Sequence, residues 1–364
     1  MSKADVHYLR RCIELAERGK PWVSPNPMVG SVVVKNRTIV GEGYHEGFGE
    51  YHAEYNALRD AGTGAQGATL YVNLEPCVHE GKTPPCTEAI IGAGIRHVVA
   101  SSQDPNPLVG GRGFRELRRA GIKVTKGILK KESHKLNEKF FGAMEHRLPF
   151  VGIKLAQTLD GRIADSRNRS KWISSPDART YAHILRTEYH AIMVGSTTIQ
   201  MDDPELTVRF TEGRNPVRVV VDGRLRLSPL RKVFTTGAAQ TILLTSSTSL
   251  NKEYRKAVAL ERKGVQVIGV DSRLPLTPKA MLRALFSLGV LSVLVEGGSK
   301  TIQPFLEHRL AQKIHCFVTP AILGSGTTGF SFGRLPLGRM IRLDDLSVRQ
   351  LSGTMILEGV PRYQ

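Results

Sequence analysis

The chain has 364 residues, 41% hydrophobic and 23% charged, a length that predicts two domains and a composition that excludes disordered and collagen-like chains. No run approaches the ~18 uninterrupted apolar residues of a spanning helix, and the opening MSKADVHYLRR has no apolar signal core, so a cytoplasmic protein with no membrane partner is expected. The net charge of +18 suits nucleic acid, an anionic surface or phosphorylated small molecules, but no block of five or six like charges forms a basic tail.

The first half alternates helix and strand signals. Val6, Leu9, Ile13 and Ala16 share one face of an opening helix. Residues 32–34 and 38–41 read as strands about a turn, 52–61 as a helix, 69–74 as a strand and 87–93 as a helix. A strand at 96–101, a helix at 113–120 and a strand at 123–127 complete a layered α/β pattern. Residues 130–147 are polar and helix-prone, with Pro149 beyond, which puts a domain boundary between 1–146 and 147–364. The second half restarts with a strand at 150–155. Further strands are expected at 191–194, 217–221, 241–244, 265–270 and 290–295, with helical patterns between several of them. The charge is divided unevenly. Residues 1–145 hold 20 Lys/Arg and 16 Asp/Glu, a balance of +4, and residues 146–364 hold 31 and 17, a balance of +14.

Four cysteines are too few for a disulfide scaffold in a chain this long. Cys12 and Cys316 sit in apolar surroundings and read as core residues. Cys77 and Cys86 form the one close pair and point to a metal. Upstream lies His52-Ala53-Glu54. One imidazole and two thiolates make three protein ligands, the usual number at a catalytic zinc that keeps a water. A carboxylate two residues from the ligand histidine can shuttle protons, as in the zinc nucleobase deaminases. Here eight residues, 78–85, separate the cysteines, where those deaminases have two. Thr83-Pro84-Pro85 would stiffen that excursion and bring Cys86 into the first turn of the next helix, where N–H groups favour a thiolate. A closed structural site would recruit a fourth ligand, and His79 could supply one. Lys82, between Gly81 and Thr83, is a candidate cation for a phosphate.

The second half is less explicit. The strand at 290–295 leads through Glu296 into Gly297-Gly298 and a helix-like stretch at 301–308, which is either a tight turn or a backbone cradle for a pyrophosphate. No G-x-G-x-x-G follows a strand. Met201–Arg209 carries acidic residues before Pro204, a turn signal. Trp172 follows the basic run 167–171 and is either a core ring or the cover of an aromatic cofactor.

These residues carry a resemblance. PNPMVG at 25–30, GEGYH at 41–45, HAE at 52–54, EPCVHEGKTPPC at 75–86 and DPNPLVGGRG at 104–113 resemble the deaminase half of the bifunctional riboflavin-biosynthesis deaminase/reductase (RibD) family. KLAQTLDGRIA at 154–164, SKWIS at 170–174, TIQMDDPELTVR at 198–209 and VEGGSKT at 295–301 resemble its reductase half. The match is thinnest over 223–290. The resemblance implies an α/β chain: an N-terminal cytidine-deaminase-like three-layer αβα domain and a C-terminal dihydrofolate-reductase-like α/β domain. It implies zinc on His52, Cys77 and Cys86, Glu54 as proton shuttle, and substrate contacts from Asn26, His45, Lys82, Asp104 and Asn106. In the second half it implies NADPH near Ala156, Trp172, Thr198, Asp202, Gly297, Gly298 and Thr301. Substrate contacts there would come from Ser170, Arg186, Leu206, Arg209 and Glu296, with Lys154 and Asp202 near the reacting centre. Arg186 and Arg209 suit a phosphate, which a guanidinium binds bidentately. The expected partner is a phosphorylated pyrimidine, in a homo-oligomer without nucleic acid. Two other functions remain open in the sequence: an RNA- or tRNA-editing deaminase, suggested by the isoelectric point of about 9.9, and a zinc-stabilised binding protein without turnover.

Overall fold

The computed structural model describes residues 2–78, 84–170, 172–271, 274–331, 333 and 336–363. The chain divides into two compact units, Met1–His146 and Arg147–Gln364.

In the first unit, Ser2 and Asp5 form a reciprocal capping box that starts α1 (Lys3–Glu17). β1 (Gly30–Lys35) and β2 (Thr38–Tyr44) make a hairpin across Asn36 and Arg37, both at positive φ. There follow α2 (Ala53–Ala61), β3 (Thr69–Leu74), α3 (Cys86–Gly92), β4 (His97–Ser102), α4 (Arg112–Arg119), β5 (Lys123–Lys126), α5 (Lys130–Leu136) and α6 (Glu138–His146). The sheet order is β2-β1-β3-β4-β5, antiparallel on the β2 side and parallel from β3 to β5. Both faces are covered, so the strands read as continuous β-branched runs. Val32 and Val34 pack with Leu9, Cys12 and Leu15 of α1, while Val33 packs with Ala57 and Leu58 of α2, Ile90 of α3 and Leu117 of α4. This is a three-layer αβα unit. Gly41 and Gly43 let α2 lie directly on β2, because a Cβ on either would come within 2.4 Å of an Ala57 backbone atom. That approach sets the position of His52, which caps α2. The helix-prone stretch 130–147 is two helices, broken at Asn137, whose side chain bonds the Met28 backbone.

The second unit contains β6 (Phe150–Thr158), β7 (Arg162–Ala164), α7 (Pro176–Glu188), β8 (Ala191–Gly195), α8 (Ser196–Asp202), β9 (Val217–Val221), α9 (Lys232–Thr235) and β10 (Thr241–Ser246). It continues with α10 (Ser247–Lys252), α11 (Tyr254–Glu261), β11 (Val265–Val270), α12 (Pro278–Ser287), β12 (Ser292–Glu296), α13 (Ser299–Glu307) and β13 (Lys313–Thr319). β14 (Thr327–Thr328) pairs with β7, and β15 (Arg342–Leu351) forms a hairpin with β16 (Thr354–Arg362). The main sheet has the order β11-β10-β9-β8-β12-β6-β13-β16-β15. Its first seven strands are parallel, and the last two add on antiparallel. α12 and α13 cover one face through Met281, Leu282, Leu285, Ile302 and Phe305. Residues of α7, α9 and α11 cover the other, among them Ala182, Leu185, Val233 and Leu260. Cys12 and Cys316 are buried core residues, as expected. Among the described residues, no helix is long and apolar enough to cross a membrane.

Candidate active sites

The first site lies at the C-terminal ends of the parallel strands of the first unit. α2 presents His52 at its cap and Glu54 in its first turn; Cys77 follows β3, and Cys86 opens α3. The ligand atoms of His52, Cys77 and Cys86 all lie within 4.8 Å of one another. His52 Nδ1 is 3.3 Å from Cys86 Sγ and 3.5 Å from Cys77 Sγ. This donor set, one imidazole and two thiols with no further ligand among the described residues, fits a catalytic zinc. His79 and Lys82 lie outside the described residues. The Cys86 thiol and its backbone N–H, at 3.4 Å, both donate to Cys77 Sγ and hold the Cys77 thiol well below its ordinary range, with His52 adding to the effect. Cys77 and burial push Cys86 up. The helix-start N–H thus serves the neighbouring cysteine. Glu54 is buried, and burial lifts its carboxyl to about 7 against the pull of His52.

A cavity of about 250 Å³ opens on these groups and is lined by Asn26, His45, Asp104 and Asn106 among others. Four of the five expected substrate residues therefore converge. Their protonation is readable from geometry. His45 Nδ1 donates to the Tyr51 carbonyl at 3.1 Å, so Nε2 is the acceptor for Asn26 Nδ2 at 3.0 Å. Burial pushes this neutral ring down to about 4. Burial lifts Asp104 to about 7, opposed by the Asn106 N–H that donates to its Oδ1 at 2.7 Å. Sequence reasoning assigned no role to Asn73 and Asn137, which clamp the Met28 backbone and so hold the Asn26 loop. Nor did it find Phe48 and Phe140, which line the cavity. Nothing in the local pattern marks these residues, since their partners are up to 109 residues away.

In the second unit, Lys154 in the middle of β6 and Glu296 at the end of β12 are register neighbours. Glu296 is buried and makes a bidentate pair with Arg186 of α7, at 3.0 and 2.9 Å. Burial alone would raise this carboxyl, but Arg186 and Lys154 outweigh it and hold Glu296 at about 2. Burial in turn pushes the Lys154 ammonium down. Arg186 also donates to the Thr207 carbonyl at 2.9 Å. Its fork is filled by protein, while Arg209 is half-exposed and pairs loosely with Glu205 at 3.9 Å. Leu206 has φ +58 and a side chain packed in the core, so any contact it makes with substrate comes from its backbone. His183, absent from the sequence reading, accepts the Arg209 N–H on Nδ1 at 3.0 Å, and burial pushes its ring down to about 4.

Beside this cluster, the ends of β8 and β12 and the starts of α8 and α13 meet. A Cβ on Gly297 would lie 3.5 Å from Thr198 Oγ1 and 3.6 Å from Thr301, and a Cβ on Gly195 would lie 2.5 Å from Thr301 Oγ1. Gly298 caps α13. The structure thus brings Thr198, Gly297, Gly298 and Thr301 together and adds Gly195. Such a cradle, open to backbone approach at two helix starts, fits a pyrophosphate. Trp172 is not a core ring. It is 70% exposed, with the Arg179 guanidinium 4.6 Å over its face. Ser170, Ala156 and Asp202 are partly buried, and Asp202 closes α8.

A zinc-type donor set beside a buried carboxyl on a three-layer αβα unit, followed by a unit with a dinucleotide cradle, defines a deaminase joined to a reductase. Residues 2–102 match the cytidine and deoxycytidylate deaminase zinc-binding region, and residues 149–357 match the RibD C-terminal domain. The chain is 42% identical to the riboflavin biosynthesis protein RibD of Aquifex aeolicus, over 97% of each chain. Among solved structures, it is similar to Acinetobacter baumannii RibD (TM-score 0.90, 35% identity, 99% of each chain). It is also similar to the diaminohydroxyphosphoribosylaminopyrimidine deaminase/5-amino-6-(5-phosphoribosylamino)uracil reductase of Thermotoga maritima (TM-score 0.83, 38% identity, 99% of each chain). The chain belongs to the RibD family, the bifunctional deaminase/reductases of riboflavin biosynthesis. Its first unit is a zinc-binding deaminase domain with a cytidine-deaminase-like fold, and its second an NADPH-dependent, dihydrofolate-reductase-like domain.

Proposed function

We infer that the first unit deaminates 2,5-diamino-6-ribosylamino-4(3H)-pyrimidinone 5′-phosphate, and that the second reduces the ribosyl group to ribityl, giving 5-amino-6-ribitylamino-uracil 5′-phosphate. The observation that carries this reading is the three-ligand cluster and buried Glu54 at the floor of a cavity lined by Asn26, His45, Asp104 and Asn106. His52, Cys77 and Cys86 hold the zinc, which when bound makes a water nucleophilic near neutral pH. Glu54 would move two protons in turn, the first from the attacking water to the ring nitrogen and the second from the added hydroxyl to the amino group, which leaves as ammonia. A buried carboxyl held beside the ligand set can both take and give a proton. Asn26, His45, Asp104 and Asn106 orient the ring and sugar, and Lys82 takes the phosphate.

In the second unit, NADPH supplies the hydride. Thr198, Gly297, Gly298 and Thr301 hold its pyrophosphate, with Ala156, Trp172 and Asp202 along the rest of the cofactor. Lys154 holds a proton on Nζ at the reacting centre, where Asp202 also acts. Arg209 binds the substrate phosphate, while Glu296, Ser170 and the Leu206 backbone shape its site. Arg186 contributes by fixing Glu296 and Thr207. The enzyme works in the cytoplasm as a homo-oligomer. The edge strand β15, with Leu346 and Val348 exposed at the end of the sheet, supports association.

The test is incubation of zinc-loaded protein with the diaminopyrimidine phosphate, with and without NADPH, followed by mass spectrometry. Deamination without NADPH and a further reduced product with it are expected. Absence of deamination by zinc-loaded protein refutes the reading.

A further inference from the structure

We propose that Glu75 is the positioning residue that locks the pyrimidine-recognising loop of the deaminase unit onto the strand end that carries the metal ligand Cys77. It lies between the last residue of β3 and Pro76-Cys77, and it is buried. Its carboxylate has no cation within ion-pair distance among the described residues. Instead, its two oxygens collect three backbone N–H groups from one stretch of chain. Oε2 accepts from Asp104 at 3.2 Å and from Gly111 at 2.9 Å, and Oε1 accepts from Phe114 at 3.2 Å. Asp104 and Asn106 line the cavity, so the loop that Glu75 holds is the one that reads the ligand.

The local chemistry explains why a charge is placed here. α4 starts at Gly111, which has φ +79 and no side chain to cap the helix. Glu75 caps it from outside by satisfying N–H groups at the cap and in the first turn, where a negative charge also meets the positive end of the helix dipole. Gly113 keeps the two pieces in contact, because a Cβ there would lie 2.1 Å from the Pro76 carbonyl. Cys77, two residues from Glu75, and Asp104, whose N–H it accepts, are thereby held in fixed relation. One carboxylate ties the geometry of the metal to that of the pyrimidine pocket.

This inference rests on the deaminase reading above, which the wild-type protein tests in the same assay. Glu75→Gln keeps one acceptor oxygen and turns an NH2 toward a backbone donor. Glu75→Ala keeps no acceptor. We expect KM for the diaminopyrimidine phosphate to rise about tenfold in Glu75→Gln, a 1.4 kcal/mol effect, and further in Glu75→Ala. kcat should fall less than KM rises, with one zinc per chain and reductase turnover both unchanged. Gly113→Ala, which separates the same surfaces sterically, should reproduce the rise in KM. An unchanged KM in both Glu75 variants overturns the proposal. So does a loss of activity that tracks loss of zinc, which would make Glu75 a support of the metal alone. Failure of the wild-type protein to deaminate refutes the underlying reading instead, and is seen before any variant is made.

Discussion

Gly195→Ala tests the cofactor cradle of the reductase unit through a single methyl group. The residue caps α8 with φ −83 and ψ 162, a conformation that alanine adopts freely, so no backbone strain is introduced. The new Cβ would lie 2.5 Å from Thr301 Oγ1, roughly 1 Å inside ordinary contact. Thr301 is β-branched and sits in the first turn of α13, so it relieves the clash only by changing rotamer or by shifting the helix start. Overpacking of this kind costs about 1–3 kcal/mol. If the cradle binds the dinucleotide, the change of rotamer or shift of the helix start moves Thr301 away from the cofactor, and a loss of that size raises KM for NADPH about 5- to 150-fold. The assay is NADPH oxidation with the deaminated intermediate, with deamination by the same preparation as internal control. Thr301→Ala in the Gly195→Ala background removes the clashing oxygen, and the double variant should match Thr301→Ala alone. An unchanged KM for NADPH in a Gly195→Ala protein of wild-type Tm would refute the assignment of the cofactor to this cradle.

Removing one member of the Arg186–Glu296 pair should destabilise the second unit by about 3–5 kcal/mol, because the survivor remains a buried, unpaired charge. Urea unfolding of Arg186→Met checks this, and an unshifted midpoint would contradict it. Cys77→Ser should release zinc and abolish deamination while leaving reduction of the deaminated intermediate intact; chelation of the wild-type protein should do the same, and retained deamination would refute the ligand assignment. Burial, with the Arg214 charge nearby, pushes His190 down to about 4, whereas the unfolded ring titrates near the ordinary histidine value of about 6.5. The unfolded chain therefore binds a proton first. Stability is fully present above pH 6.5 and falls as the pH drops toward 4, by up to roughly 3 kcal/mol for this residue. Unfolding at pH 7 and pH 4.5 should show a smaller loss in His190→Gln than in the wild-type protein, and equal losses would contradict the assignment.

Much of the first site was legible because its chemistry is local in sequence or carried by rare residues. His52 and Glu54 share one helix start, and Cys77 and Cys86 bracket a single excursion. Most strands of the two large sheets were legible as β-branched runs because helices cover both faces, but β13, KIHCFVT, was not picked out although it is buried. The hairpin of β15 and β16 was not, since RLDDLSVRQL is largely exposed and carries no alternation to read. Long-range partnerships were also silent. Arg186 looked like a phosphate ligand because its guanidinium suits one, but the structure brings it a carboxylate from 110 residues away. Leu206 lay in the right loop, but its side chain belongs to the core. Glu75 was part of a quoted motif, yet its three N–H partners lie 29 to 39 residues downstream.

Among the described residues, two apolar cores are built from the deaminase unit and three from the reductase unit. Mutational load therefore falls on the two catalysts separately. A cavity opened under β3 is a lesion of the deaminase, and one opened under β8 is a lesion of the reductase. In a lineage that acquires a second source of either activity, selection relaxes on the corresponding core and persists on the other.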